Sequence, residues 1–131
     1  MIDHVGFAVS DLARSRAFYE GALAPLGITV MMEMTEEATG GNGAFLGLGK
    51  DGNPFFWIGT GKAPATSVHL ALSAPDRDKV AAFYDAALAA GGTDNGAPGL
   101  RPEYSPGYYG AFVLDPDGNN IEAVCHEKQP S

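Results

Sequence analysis

Three side chains in this 131-residue chain have the types and spacing to hold a metal ion. His4 and His69 lie 65 positions apart, and Glu122 follows His69 after 53 more. Each histidine belongs to a short alternating run. Residues 2–9 place Val5, Phe7 and Val9 on one face of a strand and His4, Gly6 and Ala8 on the other. Residues 68–73 repeat this, with Val68, Leu70 and Leu72 opposite His69, Ala71 and Ser73. Small neighbours leave room beside each imidazole. A lone strand histidine is usually a satisfied structural residue, but two at equivalent points of a repeat argue for a shared role. Glu122 sits in NNIEAVC, sharing a face with Asn120 and Val124 opposite Ile121, Ala123 and Cys125. A carboxylate in mid-strand is costly to bury unless it is paired or bound to a metal. Two imidazoles and a carboxylate serve both non-haem iron and catalytic zinc, so donor type alone does not name the metal.

The elements that position these groups come in two copies. Ser10 or Asp11 caps a helix over about 12–24, which Pro25 and Gly27 end; strands follow near 28–34, 44–48 and 55–59. Asp76 opens a second helix to about 90, stopped by Gly91-Gly92, with strands near 111–114 and 120–126. A shift of 65 positions superposes His4 on His69, Asp11 on Asp76, the triplet Ala17-Phe18-Tyr19 on Ala82-Phe83-Tyr84, and Gly27 on Gly92. The glycine- and proline-rich stretch from Gly91 to Pro106 reads as punctuation. The turn DPDGN at 115–119 sets a tight hairpin, which makes Asp115 and Asp117 structural. The chain is read as one domain over 1–131, with module one at about 1–60 and module two at about 67–127. Each module is a β-α-β-β-β unit too small to bury a sheet face alone, so the expected fold class is α+β with two tandem modules.

Composition narrows the function. The formal net charge is −8, which argues against nucleic acid or an anionic membrane surface as partner. The single cysteine, Cys125, lies in an apolar run and reads as a buried thiol. No apolar stretch approaches the roughly 20 residues that span a bilayer. The start, MIDHVGFAVSDL, lacks the basic region of a signal peptide, so the expected location is the cytoplasm.

HVGFAVSDLARSRAFY at 4–19, VHLALS at 68–73 and DPDGNNIEAV at 115–124 together resemble the vicinal oxygen chelate superfamily. That group includes glyoxalase I, extradiol dioxygenases, methylmalonyl-CoA epimerase, fosfomycin-resistance enzymes and bleomycin-resistance binding proteins. The resemblance covers nearly the whole chain. It implies paired βαβββ modules forming a curved half-barrel cup, the glyoxalase/bleomycin resistance/dihydroxybiphenyl dioxygenase fold. It implies His4, His69 and Glu122 as ligands of a divalent metal, whether Fe, Zn, Mn, Ni or Co. At the family's fourth ligand position this chain carries Trp57 by the 65-residue offset, or Phe56 by the DGN match, and neither coordinates a metal.

The loop RPEYSPGYYGAF at 101–112 adds candidates. Arg101, Trp57, Tyr108 and Tyr109 are placed as substrate-binding, and Glu103, Tyr104 and Glu122 as catalytic acid-base groups. His126, about 13 Å beyond Glu122 along an extended strand, reads as a rim residue. Three functions follow from the resemblance. The first is a glyoxalase-like lyase or isomerase acting through the metal on a small molecule with vicinal oxygens; the second is an Fe(II) dioxygenase. The third is a metal-free binding protein of the bleomycin-resistance kind, with Trp57, Phe55 and the tyrosines as stacking walls. A homodimer is expected. The linker of roughly eight residues reaches at most about 26–29 Å and lets the modules pair within or between chains; the resemblance favours pairing between chains.

Overall fold

A computed structural model describes residues 1–126, so the expected end of module two at 127 falls outside the described residues. Module one runs β1 (Val5–Ala8), α1 (Leu12–Leu23), a 3-10 turn (Ala24–Leu26), β2 (Thr29–Met34), β3 (Phe45–Lys50) and β4 (Asn53–Gly59). Module two repeats it as β5 (His69–Ser73), α2 (Arg77–Ala89), β6 (Thr93–Leu100), β7 (Tyr108–Leu114) and β8 (Asn120–His126). Of Ser10 and Asp11 it is Asp11 that caps α1, accepting from Arg14 N–H at 3.1 Å, and Asp76 caps α2 as expected, accepting from Lys79 N–H at 2.8 Å. No helix of the described residues is long and apolar enough to cross a membrane.

β6 corrects the sequence reading. The segment taken as punctuation holds an eight-residue strand, TDNGAPGL. Gly96, Pro98 and Gly99 hid it, and its pairing with β7 breaks register twice. An edge strand tolerates that composition because one side of its backbone needs no ladder partner. β7 likewise begins at Tyr108, three residues before the predicted start.

The sheets have the orders β1-β4-β3-β2 and β5-β8-β7-β6, with the first and last strand of each module parallel. Strand alternation then sorts side chains into two faces. In module one, Leu46, Leu48, Phe56 and Ile58 are buried in a common core with Phe18, Tyr19 and Leu23 of α1. In module two, Val113, Ile121, Ala123 and Cys125 join the same core with Val80 and Phe83 of α2. The modules meet through α1 against α2, and the two sheets do not close on one another within the chain.

A polar clamp crosses this contact. Tyr19 of α1 is fully buried and donates its hydroxyl to Asp115 Oδ2 at 2.5 Å. Asp115 Oδ1 accepts the backbone N–H groups of Asp117 and Asn119 at 2.9 and 2.8 Å. Asn119 then holds the linker, donating to Ala65 O at 2.8 Å and accepting from Val68 N–H at 2.9 Å. Asp117 accepts from the backbone N–H of Ser10 at 3.1 Å and from its hydroxyl. The turn expected to be structural therefore joins the modules as well as two strands. Burial, then the charge and hydrogen bond of Asp115, raise the Tyr19 hydroxyl well above the ordinary tyrosine range.

Removing the Tyr19 hydroxyl leaves a buried carboxylate short of a donor. Tyr19→Phe is expected to lower unfolding free energy by about 1–3 kcal/mol. Its repeat equivalent Tyr84 is only half-buried, bonds Asp94 at 3.0 Å, and should change by less than about 0.5 kcal/mol as Tyr84→Phe. Chemical denaturation of both variants checks this; equal losses would remove the special weight given to the clamp.

Candidate functional site

The open face of the second sheet collects the chemistry. In the ladder Ala71, Glu122 and Phe112 stand side by side on β5, β8 and β7. Glu122 is 1% exposed, yet both its oxygens are engaged. His69 Nε2 lies 2.8 Å from Oε1, and the Tyr108 hydroxyl donates to Oε2. Hydrogen bonds to both oxygens offset part of the cost of burying this carboxylate. The Tyr108 ring meets Tyr104 and His126 edge-on, each at 5.1 Å between centroids. Phe112 packs beside His69 at 6.4 Å, and the Arg101 guanidinium stands 5.5 Å over the Phe112 ring. Burial first, then the hydrogen bond and charge of Glu122, push the Tyr108 hydroxyl up to about 12.

The first sheet carries the same register with different occupants. Gly6, Trp57 and Gly47 stand side by side on β1, β4 and β3, each 65 residues before Ala71, Glu122 and Phe112. The ladder thus decides between the two candidates for the fourth position. Trp57 is equivalent to Glu122, while Phe56 is fully buried against Tyr19. A Cβ on Gly47 would lie 2.8 Å from the indole, so glycine there is what lets the ring lie across β3. Beside it a groove of about 470 Å3 is lined by His4, Gly6, Met34, Phe45 and Trp57. A cavity of about 500 Å3 beside β2 lies away from this chemistry, and its Arg16 is already paired with Glu20 and Glu33.

The predicted residues therefore divide. His69, Glu122, Tyr108, Tyr104 and Arg101 gather at the second sheet; His4 and Trp57 sit at the first. His4 precedes β1, has a 60% exposed side chain and bonds Asp3 at 2.8 Å. Tyr109 points the other way, with the Arg77 guanidinium 4.9 Å over its ring, because adjacent strand residues face opposite sides. Glu103 lies in the exposed turn before β7. Phe112 was missed as a site residue, although its strand parity with Tyr108 could have marked it.

His69 and Glu122 are a donor pair of the kind zinc and non-haem iron accept. Among the described residues, however, no three His, Cys, Asp or Glu side chains come together to hold a metal. Of the three side chains expected as ligands, His69 and Glu122 meet on one face and His4, just before β1, lies with the other sheet.

Two βαβββ modules, each with a helix on one sheet face and an open opposite face, define a duplicated α+β class. The chain belongs to the Glyoxalase/Bleomycin resistance protein/Dioxygenase superfamily, whose model matches residues 1–123. It is 30% identical to a glyoxalase/bleomycin resistance protein from Albidiferax ferrireducens T118, with 98% of each chain covered and a TM-score of 0.74. A glyoxylase/bleomycin resistance protein/dioxygenase domain from Frankia sp. EAN1pec shares the fold at 16% identity, TM-score 0.72, covering 97% of this chain and 98% of that one. Glyoxalase I from Zea mays does so at 18% identity and TM-score 0.69, with 98% of this chain matched to 45% of the maize chain. No protein of curated function matches.

The Tyr108–Glu122 bond has a measurable signature. Because the neutral phenol is favoured in the folded state, its stabilisation is complete below the ordinary tyrosine pKa and is lost as pH rises through about 12. Ultraviolet titration of phenolate should lose one late-ionising tyrosine in Tyr108→Phe, with Tyr19 still ionising late, and should show the Tyr108 step moved to lower pH in Glu122→Gln. An unchanged Glu122→Gln titration would refute the coupling.

Proposed function

We propose that the chain acts as a homodimeric, divalent-metal-dependent lyase or isomerase on a small molecule with vicinal oxygens. The observation that carries this is the split donor set. His69 and Glu122 share one open face, His4 stands at the other, and the α1–α2 contact keeps the sheets from closing within the chain. Apposing module one of one copy with module two of another supplies His4 to His69 and Glu122, and two-fold symmetry makes two such sites. When bound, the metal supplies a Lewis acid that polarises the substrate oxygens.

The chain's own side chains do the rest. Tyr108 fixes one Glu122 oxygen and leaves the other beside His69. Trp57 and Phe112 offer flat apolar walls that orient substrate and exclude water. For acid-base work, Glu122 is the most sheltered carboxylate; Tyr104 meets Tyr108 edge-on at the rim, and Glu103 is exposed in the turn. A metal-free binding role is the second reading, favoured by an indole where Glu122 has its repeat equivalent. The Fe(II) dioxygenase reading shares the metal prediction and differs by consuming oxygen.

Metal analysis of protein prepared without chelator should give one divalent ion per chain. His4→Ala, His69→Ala and Glu122→Ala should each weaken binding by about tenfold or more. Mixed dimers of His4→Ala and Glu122→Ala chains should recover one intact site of two. Recovery without dimer exchange, or full binding by a monomer, would refute the shared site, and a metal-free protein under all loading conditions would favour the binder.

Trp57→Glu offers an independent check. A carboxylate at the Glu122-equivalent position should tighten metal binding several-fold, measured by competition with a chromophoric chelator. Unchanged affinity would mean that Trp57 does not face the metal in the dimer.

A further inference from the structure

We propose that Arg101 is a preformed receptor for a substrate carboxylate, so that the site takes a monoanionic acid carrying its vicinal oxygens at a distance from that carboxylate. This rests on the small-molecule site proposed above and adds the class of substrate.

Arg101 is held in place before any ligand arrives. Its Nη2 donates to Ala97 O at 2.7 Å and its Nη1 to Leu100 O at 3.4 Å, so the side chain folds back over β6. Two glycines make room for it. A Cβ on Gly99 would lie 2.9 Å from Nη1, and one on Gly96 would lie 3.4 Å from Nη2. The guanidinium consequently rests over Phe112, the neighbour of His69. Its backbone N–H donates to Tyr108 O at 2.7 Å, tying the same residue to the partner of Glu122.

Its charge is not neutralised by the described residues. Arg14 pairs with Asp117 at 3.7 Å and Arg16 with two glutamates, but Arg101 pairs with no carboxylate among the described residues. Guanidinium carries five N–H donors in a planar fork, and the two carbonyls leave the others for a ligand. In a chain of net charge −8 the overall field repels anions, so capturing one needs a local cation. One unpaired positive charge balances a monoanion, and the fork fits carboxylate geometry.

The test uses 3,4-dihydroxybenzoate and its neutral amide as probes, with binding to the metal-loaded and metal-free full-length protein followed by calorimetry. The wild type should prefer the carboxylate by about tenfold or more, the scale of a charge-assisted pair. Arg101→Gln should abolish that preference, lowering carboxylate affinity far more than amide affinity, while leaving Co(II) binding unchanged. Arg101→Lys should keep part of it, and Gly99→Ala, which displaces the fork without removing charge, should reduce it. Equal binding of both probes, binding of neither, or a preference that survives Arg101→Gln would overturn the proposal. Failure of Co(II) to bind, with the carboxylate preference intact, would instead refute the metal reading alone.

Discussion

The buried hydroxyl of Tyr19 on Asp115 is the contact on which the rest of the arrangement depends. Two duplicated modules with apolar helices could pack face to face or side by side, and hydrophobic burial alone does not choose, being non-directional. The clamp chooses. It aligns α1 with the 115–119 turn, while Asn119 fixes the linker where it enters β5. With helices together, both open faces are left for something other than the chain's own core. This long-range polar network is thus the directional part of the contact that leaves those faces free.

Duplication supplies an internal comparison. At one ladder position module one pairs glycine with tryptophan, Gly47 and Trp57, and module two pairs phenylalanine with glutamate, Phe112 and Glu122. The bulk has changed strands. In module one the indole covers its neighbour; in module two the ring stands beside a short carboxylate and leaves its oxygens to His69 and Tyr108. The register is the same at this position, so the difference between an apolar platform and a polar cluster comes from the residues placed on it.

Much of this was legible in the sequence, for physical reasons specific to each element. The alternation around His4 and His69, the capping aspartates and the repeat of the AFY triplet are local signals, and the structure has strands, caps and helices where they point. β6 was hidden because Gly96, Pro98 and Gly99 contradict strand propensity, which tertiary pairing at an edge overrides. Strand parity correctly put Glu122 opposite Ile121 and Ala123, and it could have excluded Tyr109. The Tyr19–Asp115 bond was not legible at all, since nothing local relates residues 96 positions apart. The separation of His4 from His69 and Glu122 is likewise set by how the two modules pack, which no local signal records.

Glu122 separates stability from function more sharply than any other residue. Placing a carboxylate at 1% exposure has a desolvation cost of several kcal/mol, which hydrogen bonds offset only in part. A fold that needed only a filled position there could use an apolar residue, as its own first module does with Trp57. The architecture therefore does not require the carboxylate. Its two partners also differ in kind: Tyr108 is a half-buried hydroxyl donor, whereas the His69 side chain is 55% exposed. One oxygen is consequently fixed by the protein while the other is shared with a group open to whatever approaches the face. That asymmetry is what the proposed metal-binding role of Glu122 would use, since one oxygen is held and the other faces the exposed imidazole.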